Sequence, residues 1–160
     1  VNPYGAEVAR PSRTFTAEPQ NATAPDPEGK IHRDKDGLIQ SEVTLVPSRI
    51  RAGGTARVHI TMVPNTANKA HWNNEAEPLR LWVNAPAGWQ ISQQLHTTAA
   101  VREPTSTEVR RVDFEVQVPA GAAGTIKLPA YALYYVCHDA DGRCLFLRQD
   151  IEISIDVTDR

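Results

Sequence analysis

Two cysteines, Cys137 and Cys144, are the residues of this chain whose type and spacing best suit covalent chemistry. An apolar, aromatic run leads into Cys137, a polar turn from Asp139 to Gly142 follows, and a second apolar run begins after Cys144. This pattern predicts a β-hairpin, because Asp bonds its own backbone and Gly accepts a positive φ. With that loop the two cysteines oppose each other directly, close enough for a disulfide.

The residues alone leave two interpretations of such a disulfide open. As a staple in a secreted domain it would stabilise the fold by about 2.5 kcal/mol, and much of this overlaps with the closure that the turn already provides. A chain of 160 residues buries enough core without a staple, which favours a second role. In that role the pair cycles between a disulfide and two thiols, because exposed disulfides are the more readily reduced ones.

The strand that follows the hairpin predicts which face carries the cysteines. Apolar residues alternate with polar ones from Ile151 to Val157, so the odd-numbered positions face the core. Continued back without a bulge, the same alternation places Cys144 and Phe146 on the outer face, where Tyr135 opposes Phe146. The cysteine pair is therefore predicted to lie outside the core, beside an aromatic pair.

Charged neighbours of the cysteines act in opposite directions. His138 and Arg143 adjoin the pair, and positive charge nearby lowers the pKa of a thiol. Asp139 and Asp141 would raise it, and the sequence does not decide between the two effects. A metal site is not predicted, because the spacing of the cysteines across a hairpin differs from that of zinc sites.

A second candidate region is the polar stretch from Pro64 to Pro78, which is predicted to be a loop. It carries His71 and Trp72 among asparagines. Trp72 is predicted either to form part of a lid or binding surface or to tuck over the end of the sandwich, and the residues do not separate these alternatives.

Composition and charge exclude several classes of function. Lys and Arg number 17 against 19 Asp and Glu, a formal net charge of -2 without a basic stripe, so nucleic acid is not an expected partner. No apolar run approaches the roughly 18 residues of a membrane helix, so no direct membrane insertion is expected. Because the first residue is Val1, we expect a processed product or a piece of a longer protein. Two cysteines without a CxxC motif fit an oxidising, extracytoplasmic compartment.

The rest of the chain supplies the elements that must position the cysteines. Residues 1–40 are rich in Pro, Ala, Asn and acidic residues and are predicted to form an extended arm or linker. Residues 41–160 carry alternating apolar patterns, such as Val58 to Met62 and Val112 to Val118, between turn signals. Seven to nine strands without a helical period predict an all-β fold, an immunoglobulin-like antiparallel β-sandwich with an extended N-terminal arm.

Three segments carry a family resemblance. One is a strand–loop–strand unit with His71–Asn73 in its middle, and another is a turn at Pro86–Trp89. The third is Gly124–Leu128 leading to Tyr135–Cys137, the turn and Cys144. On these segments the chain, from about residue 43 to residue 157, resembles the disulfide-bond-corrector family, the N-terminal periplasmic domain of the thiol:disulfide interchange protein DsbD.

The resemblance implies an immunoglobulin-like domain that carries reducing equivalents between a thioredoxin-like domain or protein and protein disulfide substrates, without a cofactor. Cys137 and Cys144 match the family's redox pair. In the family's mechanism the second cysteine receives the attack, so Cys144 would be the exchanging residue and Cys137 the resolving one. The predicted binding residues around the pair are His71, Trp72, Tyr135, His138 and Phe146.

The chain departs from the family in the loop that shields the disulfide. That cap loop would fall near Gln94 to Thr105, where Leu95 and His96 are the bulkiest side chains and neither Phe nor Tyr occurs. The alternative function is a non-catalytic accessory or interaction sandwich with a structural disulfide, which would bind protein or carbohydrate through exposed aromatics such as Trp72 or Trp82.

Overall fold

A computed structural model describes residues 22–139 and 142–158 of the chain. Within these residues the backbone forms eleven β-strands and one short 3-10 turn at Thr66–Asn68. No described helix has the length and apolar character needed to cross a bilayer. The strands are β1 (Ile39–Val46), β2 (Arg49–Arg51), β3 (Thr55–Pro64), β4 (Ala70–Asn73), β5 (Arg80–Val83), β6 (Gln90–Ile91), β7 (Leu95–Thr97), β8 (Thr105–Ser106), β9 (Arg110–Gln117), β10 (Gly124–His138) and β11 (Arg143–Thr158).

The strands form two sheets that enclose one hydrophobic core. The smaller sheet has the order β1-β3-β9-β6, and the larger has the order β2-β11-β10-β4-β8, with β5 pairing to both β10 and β7. Alternate side chains of β3 and β9, such as Val58, Ile60 and Val116, are fully buried. The predicted all-β, immunoglobulin-like sandwich is confirmed.

Two stretches predicted as connections contain short strands. The prediction that Pro64 to Pro78 is a loop is wrong in its centre, because β4 lies there and pairs with β10, with Trp72 opposite Val136. The stretch from Gln93 to Thr107, whose polar composition also predicts a long connection, contains β7 and β8. Both errors have one cause: strands this short are stabilised by their neighbours in the sheet and leave little period-two signal in the sequence.

The hairpin of β10 and β11 has the predicted register. Cys137 pairs with Cys144, His138 with Arg143, and Tyr135 with Phe146. Gly142 closes the turn at a φ of 67°, a conformation that residues with a Cβ rarely adopt, and its N–H donates to the carbonyl of His138 at 2.9 Å. Because these two strands are the longest in the described chain, the hairpin forms the middle of the larger sheet and fixes the cysteines at its end.

The described part of the predicted arm, residues 22–38, lies against the outer face of the larger sheet. Its small and apolar side chains contact a second cluster on that face, which is separate from the main core. The boundary of the arm at residue 40 stays a prediction, and residues 1–21 lie outside the described range. The second cluster is centred on Trp82, Tyr131 and Leu133, with Ala22, Ala24, Ile31, Leu95 and Phe146 around them.

Asp34 attaches the end of the arm to the sandwich. Its carboxylate accepts hydrogen bonds from the N–H groups of Leu38 at 2.9 Å and Ile39 at 3.0 Å, and from the hydroxyl of Tyr134 at 2.7 Å. Burial, and then the negative charge of Asp34, raise the pKa of Tyr134 far above its usual range. The phenol therefore stays protonated and holds the chain where it enters β1.

Asp26 attaches the arm at its other end. Its carboxylate accepts from Nη1 of Arg148 at 2.8 Å and from the N–H groups of Lys30 at 3.0 Å and Ile31 at 3.3 Å. Burial by itself would raise the pKa of Asp26, but these hydrogen bonds and the charge of Arg148 outweigh it, and the pKa lies below its usual value. Arg148 in turn stacks over the ring of Tyr131 at 3.7 Å.

We expect Asp26→Asn to lower the free energy of unfolding by about 2 kcal/mol at neutral pH, because charge-assisted hydrogen bonds are lost. The pKa of Asp26 is lower in the folded state than in the unfolded state. Its charge therefore stabilises the fold fully above the unfolded-state pKa of about 3.9, and this stabilisation is lost as the pH falls through the folded-state pKa. The difference between the two proteins should hold from about pH 7 to about pH 5 and shrink below about pH 4.

Urea unfolding at a series of fixed pH values measures this difference. Asp36→Asn is the matched control, because it removes an exposed carboxylate in the turn of the same arm. A difference for Asp26→Asn that is unchanged down to about pH 2.5 would contradict the electrostatic account of this contact.

Candidate functional site

The two cysteines form the predicted disulfide, with an S–S distance of 2.02 Å and a Cα–Cα distance of 3.9 Å. The bond links two directly opposed residues of β10 and β11. The two ends of the bond differ in exposure, since Cys137 is 7% exposed and Cys144 lies at the surface. Cys144 is therefore the cysteine that a reagent from solvent reaches more readily.

The disulfide lies on the outer face of the larger sheet, as predicted. Val136 and Leu147, on the other face of the hairpin, belong to the main core, and the cysteines do not. Tyr135 and Phe146, the next pair on the cysteine face, stack with ring centroids 4.4 Å apart and planes 17° from parallel. The exposed bond therefore adjoins a flat, half-buried aromatic surface.

His71 flanks the disulfide on the side opposite Cys144. It lies on β4 and pairs directly with Cys137, so His71, Cys137 and Cys144 form a row across three strands. Its Nδ1 lies 3.5 Å from Oδ1 of Asp139, and its side chain is 15% exposed. The family resemblance placed His71 near the site, but its contact with Asp139 was not expected, because the pairing of β4 with β10 was not predicted.

Trp72 is not part of the site. The side chain is 1% exposed, its Nε1 donates to the carbonyl of Glu108 at 2.8 Å, and the guanidinium of Arg110 lies 4.3 Å from the ring centre. The prediction that Trp72 binds a partner is therefore wrong, and the alternative of a ring tucked into the sandwich holds. The reason is the alternation along β4, which directs His71 outward and its neighbour into the core.

His138 and Arg143 oppose each other at the end of the hairpin. His138 is half-buried and Arg143 is exposed, and both have interactions with other residues. By strand alternation His138 belongs to the side of β10 that carries Val136, away from the disulfide. Among the described residues, no three or more His, Cys, Asp or Glu side chains are grouped as metal ligands.

The stretch expected to supply a cap loop is folded into the sandwich. His96 is 9% exposed, its ring centre lies 5.2 Å from that of Phe114, and its Nε2 is 2.8 Å from the carbonyl of Gln93. It is therefore too deep to cover the disulfide. Leu95 contacts the outer cluster, next to the arm. The arm covers the outer cluster, and Ile31, an apolar residue in a polar stretch, is one of the residues that pack there.

A cavity of about 440 Å³ opens on the same outer face, away from the cysteines. Trp82 and Tyr131 form its apolar wall, and Asp26, Asp150 and Arg148 lie at its polar side. Trp82 is 7% exposed, so the prediction of an exposed aromatic at this position is wrong, and the side chain is buried where it lines the cavity. The cavity forms between the arm and the sheet, which is why the sequence did not indicate it.

No protein-family model matches the chain, and no curated protein matches it. Among solved structures, the sporulation control protein Spo0M from Bacillus subtilis is 12% identical, with a TM-score of 0.37, over 76% of this chain and 50% of that one. This chain therefore spans half the length of the Spo0M structure. The fimbrial subunit AggA from Escherichia coli is 12% identical, with a TM-score of 0.38, over 75% of this chain and 95% of that one.

A third match is a PapD-like domain of human CEP192, which is 10% identical, with a TM-score of 0.35, over 95% of this chain and 98% of that one. All three similarities are low in identity and in TM-score. They therefore carry no argument about the function of this chain.

Proposed function

We propose that the hairpin is a thiol–disulfide exchange site, which passes reducing equivalents between a thioredoxin-like partner and protein disulfides through Cys137 and Cys144. The observation that carries the proposal is the placement of the bond: it lies outside the core and joins one exposed and one buried cysteine. The resemblance to the disulfide-bond-corrector family supports the same function.

The exchange follows from the exposure of the two sulfurs. A thiolate of the partner attacks Sγ of Cys144, a new S–S bond forms, and the electron pair of the broken bond goes to Sγ of Cys137. A second thiolate of the partner then attacks its own sulfur in the mixed disulfide and releases Cys144. The domain leaves as a dithiol, the partner leaves as a disulfide, and the dithiol reduces a protein disulfide by the reverse sequence.

The aromatic pair beside the bond is suited to contact the partner. Tyr135 and Phe146 present stacked, half-buried rings on the cysteine face. Rings of this kind supply large contact area at low entropic cost in protein interfaces. Protein disulfides form and persist in oxidising compartments, so we propose an extracytoplasmic location for a domain that reduces them.

The reduction potential of the Cys137–Cys144 pair tests the proposal. Equilibration with glutathione or dithiothreitol buffers, followed by thiol trapping, should give a value within about -120 to -270 mV, the range of known exchange proteins. A value below about -300 mV would mark a structural disulfide and overturn the proposal.

One observation favours a second candidate, an accessory domain that binds a ligand and uses the disulfide only for stability. The cavity at Trp82 and Tyr131 has the volume of a small-molecule site, and it combines an apolar wall with charged groups. A reduction potential below about -300 mV would favour this candidate over thiol–disulfide exchange.

A further inference from the structure

The row across β4, β10 and β11 places an imidazole beside the buried sulfur. Cys137 has two direct neighbours across the sheet, Cys144 on one side and His71 on the other. Directly opposed residues of antiparallel strands have Cβ atoms about 5 Å apart. His71 therefore stands next to Cys137 on the side that an attacking partner does not use.

Asp139 positions the imidazole. Its Oδ1 lies 3.5 Å from Nδ1 of His71, and its own N–H donates to the carbonyl of Lys69 at 3.1 Å, which ties the turn to the strand that carries His71. A carboxylate next to one ring nitrogen of a histidine favours the form in which that nitrogen carries a proton, and the other ring nitrogen can then interact with a second partner. Among the described residues nothing binds Nε2 of His71. The titratable or charged residues that adjoin this pair along the chain or in the strand register are Lys69, His138 and Arg143.

Opening the disulfide creates a charge where charge is unfavourable. When the bond breaks, the electron pair stays on Cys137, which is 7% exposed. A buried anion is costly unless it is paired or neutralised. Asp139 is 63% exposed, and as a carboxylate it cannot neutralise a thiolate. Among the residue types at this site, an imidazole is the one that most often acts as a general acid or base in proteins.

We propose that His71, positioned by Asp139, transfers the proton to and from Cys137 during exchange, an inference that rests on the proposed function. As the bond opens, the imidazolium of His71 donates its proton to Sγ of Cys137, which leaves a neutral thiol and a neutral imidazole. In the reverse direction the imidazole accepts the thiol proton, and the thiolate of Cys137 attacks the sulfur of Cys144 in a mixed disulfide. Partner and substrate supply and remove the electrons.

The test is the rate at which dithiothreitol reduces the oxidised full-length chain, followed by thiol trapping from about pH 5.5 to about pH 8.5, on both sides of the ordinary imidazole range. Each rate is divided by the dithiothreitol thiolate concentration. Relative to His71→Asn, the wild-type rate should be about tenfold or more higher at the acidic end, because a positioned acid accelerates such steps. The ratio should fall towards one at the alkaline end.

His59→Asn is the matched control, since His59 also lies 2.6 Å from a carboxylate, that of Asp113, but on the other sheet. The rate of wild type divided by the rate of His59→Asn should be one at every pH. A ratio for His71→Asn that does not change with pH would mean a merely structural role and would overturn the inference. This outcome differs from failure of the proposed function, which the reduction potential tests independently. Reduction by dithiothreitol measures the chemical step alone and does not depend on the identity of the natural partner.

Discussion

Replacing Trp72 with alanine is expected to lower the free energy of unfolding by about 4 kcal/mol, the cost of deleting a large aromatic from a packed core. The ring is 1% exposed, the guanidinium of Arg110 lies 4.3 Å from its centre, and the ring of Tyr134 packs nearly perpendicular to it with the centroids 6.0 Å apart. Its N–H also satisfies the carbonyl of Glu108. Truncation removes all three contacts and leaves a cavity at the junction of the two sheets.

Urea unfolding followed by circular dichroism measures the effect. Trp89→Ala is the matched control, because Trp89 is half-buried and borders the core from the turn before β6, so we expect a loss of only about 1 kcal/mol. If Trp72→Ala does not fold, Trp72→Phe retains most of the packing, lacks the N–H and should cost about 2 kcal/mol. Equal losses for the substitutions at positions 72 and 89 would contradict the placement of Trp72 in the core.

The hairpin could be predicted from the sequence because its signals are local. Alternation from Ile151 to Val157 has the period of a strand, and the turn from Asp139 to Gly142 sets the register. A one-residue slip would move every side chain of the strand to the other face, so the buried isoleucines also determine the outward position of Cys144. The face that carries the disulfide therefore follows from the residue pattern of β11 and the length of the turn.

The remaining parts of the site depend on contacts that the sequence does not encode locally. Trp72 and His71 lie in a polar stretch, and only the pairing of β4 with β10 shows that Trp72 faces the core and His71 the outer face. Asp26 lies in a stretch that predicts an arm, yet it bonds Arg148, 122 residues away along the chain. Such long-range pairs gain their stability from burial and from satisfied hydrogen bonds, which a window of sequence does not contain. The arm over the outer cluster and the cavity beside it were missed for this reason.

The largest effect on exchange is expected from single replacements of the two cysteines, because each leaves one thiol in a different environment. Cys137→Ser leaves Cys144 at the surface of the hairpin, and Cys144→Ser leaves Cys137, which is 7% exposed. We expect the remaining thiol to react with 5,5'-dithiobis(2-nitrobenzoate) at least about tenfold faster in Cys137→Ser than in Cys144→Ser, since access to the sulfur governs the rate of exchange. Neither variant should transfer electrons, because a dithiol is required.

The same pair of variants separates the roles of the two sulfurs. A thioredoxin whose second, resolving cysteine is replaced by serine, activated as a mixed disulfide with the nitrobenzoate, should form a stable bond to Cys144 in Cys137→Ser. Neither protein then has a second thiol that can resolve the bond, and a non-reducing gel would show the adduct. Cys144→Ser should form little adduct while folded. In guanidinium chloride the two variants should react at nearly equal rates, which would assign the folded-state difference to burial. Faster reaction of Cys137 in the folded chain would instead reverse the roles, with the partner attacking from the side of His71.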